Sequence, residues 1–189
     1  MAQFSDRGSK FLGYALPLVS VDDFRRQLAL LRKEHPKATH HCFAYRLGTD
    51  GTVYRVSDDG EPSGSAGRPL LGQIDSRQLT QVLIVVVRYF GGTQLGVPGL
   101  IHAYKTTAAL ALDQTPVVQK PVLIPYRLEF DYTRMNDVMR VIKQFDCLVT
   151  QQDNQLFCRL ETGIPKNCLQ EVLTRLTDIR EITLTPVQV

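Results

Sequence analysis

The sequence predicts an α+β protein built as two units, the second with the β-α-β-β-α-β order of a ferredoxin-like domain. Runs of β-branched and aromatic residues alternate with stretches whose apolar residues recur three and four positions apart, the pattern of strands mixed with helices. The segment TPVVQKPVLIP, with Pro116, Pro121 and Pro125, interrupts both patterns and suits a boundary or an edge strand better than a helix. At 189 residues, 43% hydrophobic and 22% charged, the chain has a globular composition, not a disordered or fibrous one, and can bury one large core or two small ones. We place the units at residues 1–118 and 122–189.

Taken in order, KFLGYALPLVS reads as a first strand that closes near Pro17. Ser20 then precedes VDDFRRQLALLRKEHP, where Phe24, Leu28 and Leu31 keep helical spacing. Asp22 and Asp23 in the first turn, with Arg32 and Lys33 in the last, suit the helix dipole, and Pro36 ends the helix. HHCFAYRL and TVYRV read as strands about LGTDG, with Asp50-Gly51 as the hairpin signal. SDDGEPSGSAGRP is too rich in Asp, Gly, Ser and Pro for regular structure, and LLGQIDSRQL reads as a short helix. Gln81–Phe90 is a strand buried on both faces, because its apolar run is uninterrupted. A helix follows the glycines from about Gly99 to Leu112. In the second unit VLIPYRLEFDY, CLVTQQ, QLFCRLE and EITLTPV read as strands, RMNDVMRVIKQF and PKNCLQEVLTRLT as helices, and Asp153-Asn154 as a turn.

The formal charge of +3 and pI near 8.7 are mildly basic, far from the balance of a protein that coats nucleic acid. The charge is uneven. Residues 1–120 hold 14 Lys+Arg against 10 Asp+Glu, residues 121–189 hold 8 against 9, and His35, His40, His41 and His102 all lie in the first part. An anion is therefore best sought in the first unit. Cys42, Cys147, Cys158 and Cys168 lack the spacing of a metal finger or a redox pair, and MAQFSDRGSK lacks the apolar stretch of a secretory signal. VLIVVV is too short to cross a bilayer. The expectation is a cytoplasmic protein with free thiols and no membrane partner.

The stretch VVVRYFGGTQLGVPGLIHAY sets a strand, a glycine turn and a helix in succession, a geometry that presents backbone N–H groups to an anion. Gly91, Gly92, Gly96 and Gly99 do not have dinucleotide-fingerprint spacing. Val97 and Pro98 stand where a nucleotide-triphosphate loop needs Lys and Ser or Thr. Pro98 fits the first helical position, and His102, Lys105 and Thr106 share a helix face. With Arg88 at the strand's end, this stripe makes a phosphate-sized candidate site. The plainer reading gives the glycines to helix–sheet packing, Arg88 to a local carboxylate and the stripe to solvent.

Asp58, Asp59, Glu61, Ser63 and Ser65 offer oxygen ligands for Mg²⁺, the single cofactor with any support, although an acidic turn satisfied by backbone amides and Arg68 is favoured. Alternation on a strand brings His40 and Cys42 to one side and His41 to the other, but further zinc ligands are not evident, and Cys42 reads as core. Tyr45, Tyr54, Tyr89 and Phe90 suit base stacking if exposed, and core packing otherwise.

DDGEPSGSAGRP, VVVRYFGGTQLG and GLIHAY, together with ATHHCFAYRLG and GSKFLGYALPL, resemble the Impact family, small bacterial proteins related to the eukaryotic translation-control protein Impact. The resemblance spans nearly the whole chain. It implies a first domain similar to ribosomal protein S5 domain 2 and a ferredoxin-like second domain similar to a late domain of elongation factor G. It implies no established reaction for the bacterial members. Fold analogy to translation factors points to RNA or ribosome association. The candidate binding residues are then Arg88, Tyr89, Gly91, Gly92, Gly96, His102, Lys105 and Arg68. A metal-assisted enzyme handling phosphate or carboxylate, and a protein-binding adaptor, are the alternatives. Two residues depart from the family pattern: Pro98 stands for a glycine and His102 for a basic residue, and both reduce the positive character of the loop.

Overall fold

The computed structural model describes residues 1–154 and 157–187, and the chain divides into two compact units, Met1–Val117 and Val118–Val189. In the first unit, strands β1 (Ala2–Asp6), β2 (Ser9–Pro17), β3 (His40–Leu47), β4 (Val53–Ser57) and β5 (Val82–Tyr89) form one sheet in the order β1-β2-β5-β3-β4, with every neighbouring pair antiparallel. The helices are α1 (Val21–Glu34), α2 (Gly67–Ser76) and α3 (Gly96–Asp113).

Two cores flank this sheet. On one face Phe24, Leu28 and Leu31 of α1 pack on Leu12, Phe43, Leu83, Val85 and Val87. On the other, Leu70 and Ile74 of α2 and Leu100, Ala103, Tyr104 and Ala108 of α3 pack on Phe11, Ala44, Ile84 and Val86. β5 lies between the cores, and Leu83 through Val87 are fully buried. Each such side chain removed from water contributes about 1.5–3 kcal/mol before entropy is charged, so β5 is the unit's principal apolar investment. Ser20 caps α1 by accepting a hydrogen bond from the Asp23 amide at 3.1 Å.

Three boundaries differ from the sequence reading. β1 was not foreseen: its inward face carries only Ala2 and Phe4. α2 begins at Gly67, inside the segment read as irregular, because Asp58 accepts hydrogen bonds from its first amides. α3 begins at Gly96 rather than Gly99, which makes Pro98 its third residue, still among the positions whose amides lack an intrahelical partner.

In the second unit β6 (Leu123–Asp131), β7 (Leu148–Asn154), β8 (Phe157–Pro165) and β9 (Ile182–Pro186) form an antiparallel sheet in the order β7-β8-β6-β9. Helices α4 (Met135–Gln144) and α5 (Leu169–Thr177) supply Val138, Ile142, Val172 and Leu176 to a core with Leu128, Phe130, Cys158, Leu160 and Ile164. The opposite sheet face carries crossed ion pairs, Arg127 with Glu161 at 2.8 Å and Arg159 with Glu129 at 2.9 Å. Asp153 and Asn154, expected as a turn, belong to β7 instead, where they pair with Arg159 and Cys158 of β8. Among the described residues no helix is long and apolar enough to cross a membrane.

Candidate functional site

The two-residue period of β5 turns Ile84, Val86 and Arg88 toward α2 and α3, and Leu83, Val85, Val87 and Tyr89 toward α1. Arg88 therefore faces inward, only 5% exposed. Its Nη1 donates to Glu61 Oε1 at 2.6 Å and its Nη2 to Ser9 Oγ at 3.3 Å. The Tyr104 hydroxyl donates to the same Glu61 oxygen at 2.7 Å. Cys42 Sγ lies 3.0 Å from the Asp58 carbonyl and 3.3 Å from the Tyr104 hydroxyl. Burial pushes both the Cys42 thiol and the Tyr104 hydroxyl well above their ordinary pKa values, so neither ionises near neutrality.

This network corrects the picture of an open, cationic strand end. The permanent charge of Arg88 is spent on a buried carboxylate, and the pair ties the acidic loop, β2, β5 and α3 together. His40 stands at its rim, where Nδ1–H donates to the Asp59 carbonyl at 2.8 Å and Nε2 lies 3.8 Å from Glu61 Oε1. His41 points to the α1 face, where burial lowers its pKa and leaves Nε2 without a hydrogen-bond partner. Tyr89 shares that face, its hydroxyl 2.9 Å from His35 Nδ1. Tyr45 is buried against Phe24 and Phe43.

The acidic loop is equally engaged. Asp58 accepts from the amides of Gly64, Ala66 and Gly67 at 2.9, 3.0 and 2.8 Å. Burial alone would raise its carboxyl; the three amides, with Arg68 nearby, outweigh that and hold it below the ordinary value. Asp59 accepts from Arg32 at 3.0 Å and from the His41 amide at 2.7 Å. Ser63 is exposed. Among the described residues no three His, Cys, Asp or Glu side chains are arranged to hold a metal ion.

Outside the network the glycine loop stands at the surface. A Cβ on Gly91 would sit 1.9 Å from the Gly8 carbonyl carbon, so Gly91 permits the β1–β2 turn to lie against the loop. Gly92 has φ +86° and open space around it. α3 starts without a side-chain cap and without an acidic residue in its first turn. Lys105 and His102 on α3 and Arg68 on α2 are exposed, and His102 lies edge-on to Phe4 at 6.0 Å between ring centroids. α2 and α3 are tied at their other ends by Arg77, which reaches the Ala109 carbonyl at 3.4 Å and the Asp113 carboxylate. The structure thus separates the expected residues into a buried group, with Arg88 and Glu61, and a surface group, with Gly91, Gly92, Gly96, His102, Lys105 and Arg68.

Ser9 and Tyr104 were not singled out from sequence. A signal existed for each partner set: a lone arginine in an apolar strand and a tyrosine on a helix's apolar stripe both require a buried polar mate.

A model of the Impact N-terminal domain matches residues 7–112. The chain is 33% identical over 172 residues to the IMPACT family member YigZ of Escherichia coli, covering 90% of this chain and 84% of that one. It is 33% identical over 106 residues to the IMPACT homolog of Saccharomyces cerevisiae, covering 54% and 41%. A crystal structure of a hypothetical protein superposes with a TM-score of 0.72 at 30% identity, over 98% of this chain and 92% of that one. The two-domain translational regulator Yih1 is 28% identical over 59% of this chain and 45% of its own, with a TM-score of 0.40.

Proposed function

Because the chain belongs to the Impact family, matched over residues 7–112 and along nearly its full length by a bacterial member, we propose that it is a translation-linked regulator that associates with RNA or the ribosome through its first unit. We assign the first unit to the ribosomal protein S5 domain 2-like class and the second to the ferredoxin-like class, the latter supported by the β7-β8-β6-β9 order. We place the protein in the cytoplasm and assign it no cofactor.

One observation carries the binding proposal. The Gly92 backbone is open at the surface ahead of an uncapped helix start, while the Gly91 amide already donates to Ser9 Oγ; His102 and Lys105 are exposed on α3 and Arg68 on α2. Backbone amides and separated cations suit a phosphate backbone. Arg88 braces this surface and does not contact the ligand.

The test is fluorescence anisotropy of a labelled single-stranded RNA at several salt concentrations. Binding that weakens with salt is expected, and Arg68→Ala/Lys105→Ala should lower the log–log slope by about 1.4, at roughly 0.7 per phosphate contact. Absence of binding at low salt overturns the proposal. Mg²⁺-dependent thermal stabilisation by phosphorylated metabolites, in its place, would favour an enzyme on the same scaffold.

A further inference from the structure

We propose that Phe90 is a stacking platform for an unpaired base of single-stranded nucleic acid; this rests on the RNA-binding reading above and names the contact that reading lacks. Phe90 follows six consecutive buried residues, Leu83 to Arg88, and the half-buried Tyr89, yet is itself 49% exposed. Its position in the strand period would have allowed it to turn into the α3 core. Instead its ring centroid lies 5.4 Å from the Arg88 guanidinium, which Glu61 and Ser9 hold in place. Its backbone is fixed as well. The Phe90 amide donates to Thr39 Oγ1 at 3.2 Å, and the Thr39 amide donates to the Arg88 carbonyl at 2.8 Å. The ring is therefore pre-set before any ligand arrives, which lowers the ordering cost of binding.

The surroundings select a nucleotide over an apolar protein side chain. Gly91 and Gly92 follow directly; the Gly91 amide donates to Ser9 Oγ at 3.2 Å, and a base on Phe90 sets its neighbouring phosphate beside Gly92, which has open space around it. Gly8 packs against Gly91, which brings the β1–β2 turn alongside. Asp6, Arg7 and Lys10 at that turn sum to one positive charge. The other strongly exposed aromatic of this unit, Tyr54, is likewise backed by a paired arginine, but Arg55 and Val56 follow it where Gly91 and Gly92 follow Phe90. The Tyr54 ring lies 5.2 Å from Arg46, and Arg46 is itself paired with Asp75 at 2.6 Å. A stacked base on a cation-backed ring, with a phosphate beside an open glycine, is a sequence-tolerant mode of single-strand binding.

The chain contains no tryptophan, so Phe90→Trp gives a single reporter ring at the site. Its emission is titrated with oligouridylate and with an abasic oligomer of the same length and charge, while anisotropy follows binding of both. The expected result is saturable quenching by oligouridylate alone, about tenfold weaker RNA binding for Phe90→Ala, and retained affinity for Phe90→Tyr. If oligouridylate binds by anisotropy but leaves Trp emission unchanged, or if the abasic oligomer quenches equally, the stacking inference falls and RNA binding stands. If neither oligomer binds the unmodified protein, both fall. Circular dichroism of each variant separates lost contact from lost fold.

Discussion

Replacing Glu61 by alanine removes the acceptor on which two buried groups depend. Arg88 loses its carboxylate at 2.6 Å while remaining enclosed, and the Tyr104 hydroxyl loses its acceptor at 2.7 Å. The Glu61 and Arg88 side chains are 3% and 6% exposed, so water does not replace the missing partner. Breaking a buried pair costs ~3–5 kcal/mol, and an orphaned hydroxyl adds about 1–2. The two overlap, and a total near 4–6 kcal/mol is expected, comparable with the whole stability of many domains. Because the chain has two units, the assay is native-state amide exchange at Val85, Val86 and Val87, which reports the opening of the first unit alone. Glu61→Leu with Arg88→Met should recover most of the loss, since no charge is then stranded. Arg25→Ala, which breaks a surface pair with Asp22, should change little. A loss below about 1 kcal/mol for Glu61→Ala would refute the account of this network as a brace.

Gly91→Ala should lower the melting temperature sharply or prevent folding, because its Cβ would meet the Gly8 backbone, whereas Gly72→Ala, with open space inside α2, should raise stability by about 0.5–1 kcal/mol. Asp58→Asn should cost about 1 kcal/mol at neutral pH in urea unfolding. The Asp58 carboxyl is held below its ordinary value, so its contribution is full above that value and is lost as pH falls through the folded one, where variant and wild type should converge. Burial lowers the His41 pKa, so the folded state resists its protonation; stability should decline as pH falls below about 6.5, and His41→Phe should flatten that decline. In native protein a thiol reagent should label the partly exposed Cys168 first. Cys42, Cys147 (pushed up to about 11 by burial) and Cys158 should react fully only after denaturation.

How far the sequence was legible follows from how local each signal was. β5 was plain because an uninterrupted apolar run needs two covered faces, and both cores are there. α1 was plain because its cap, its stripe and its terminal charges agree. β1 was not, since an edge strand next to one neighbour needs only two inward apolar residues. The site divided along the same line. Gly91 and Gly92 announce a close approach and an unusual backbone. That Arg88 turns inward, however, depends on Glu61, which is 27 residues away, and on Ser9, which is 79 away. A charge at a strand end reads the same whether its mate is a distant carboxylate or a ligand, and only the folded arrangement distinguishes them.

In the first unit the strand that arrives last, β5, is also the middle strand of the sheet. The β1–β2 and β3–β4 hairpins are adjacent in sequence but share no edge until β5 enters between them. The sheet therefore assembles by insertion. Until residue 89 is available the two hairpins hold unpaired edges and half-covered apolar faces, and closure over the long intervening chain is entropically slow. During synthesis, the first unit would stay open through most of its length and then close in one late step. A chain stalled before Val82 should be recognised by chaperones or proteases as unfolded, and one stalled after α3 should not.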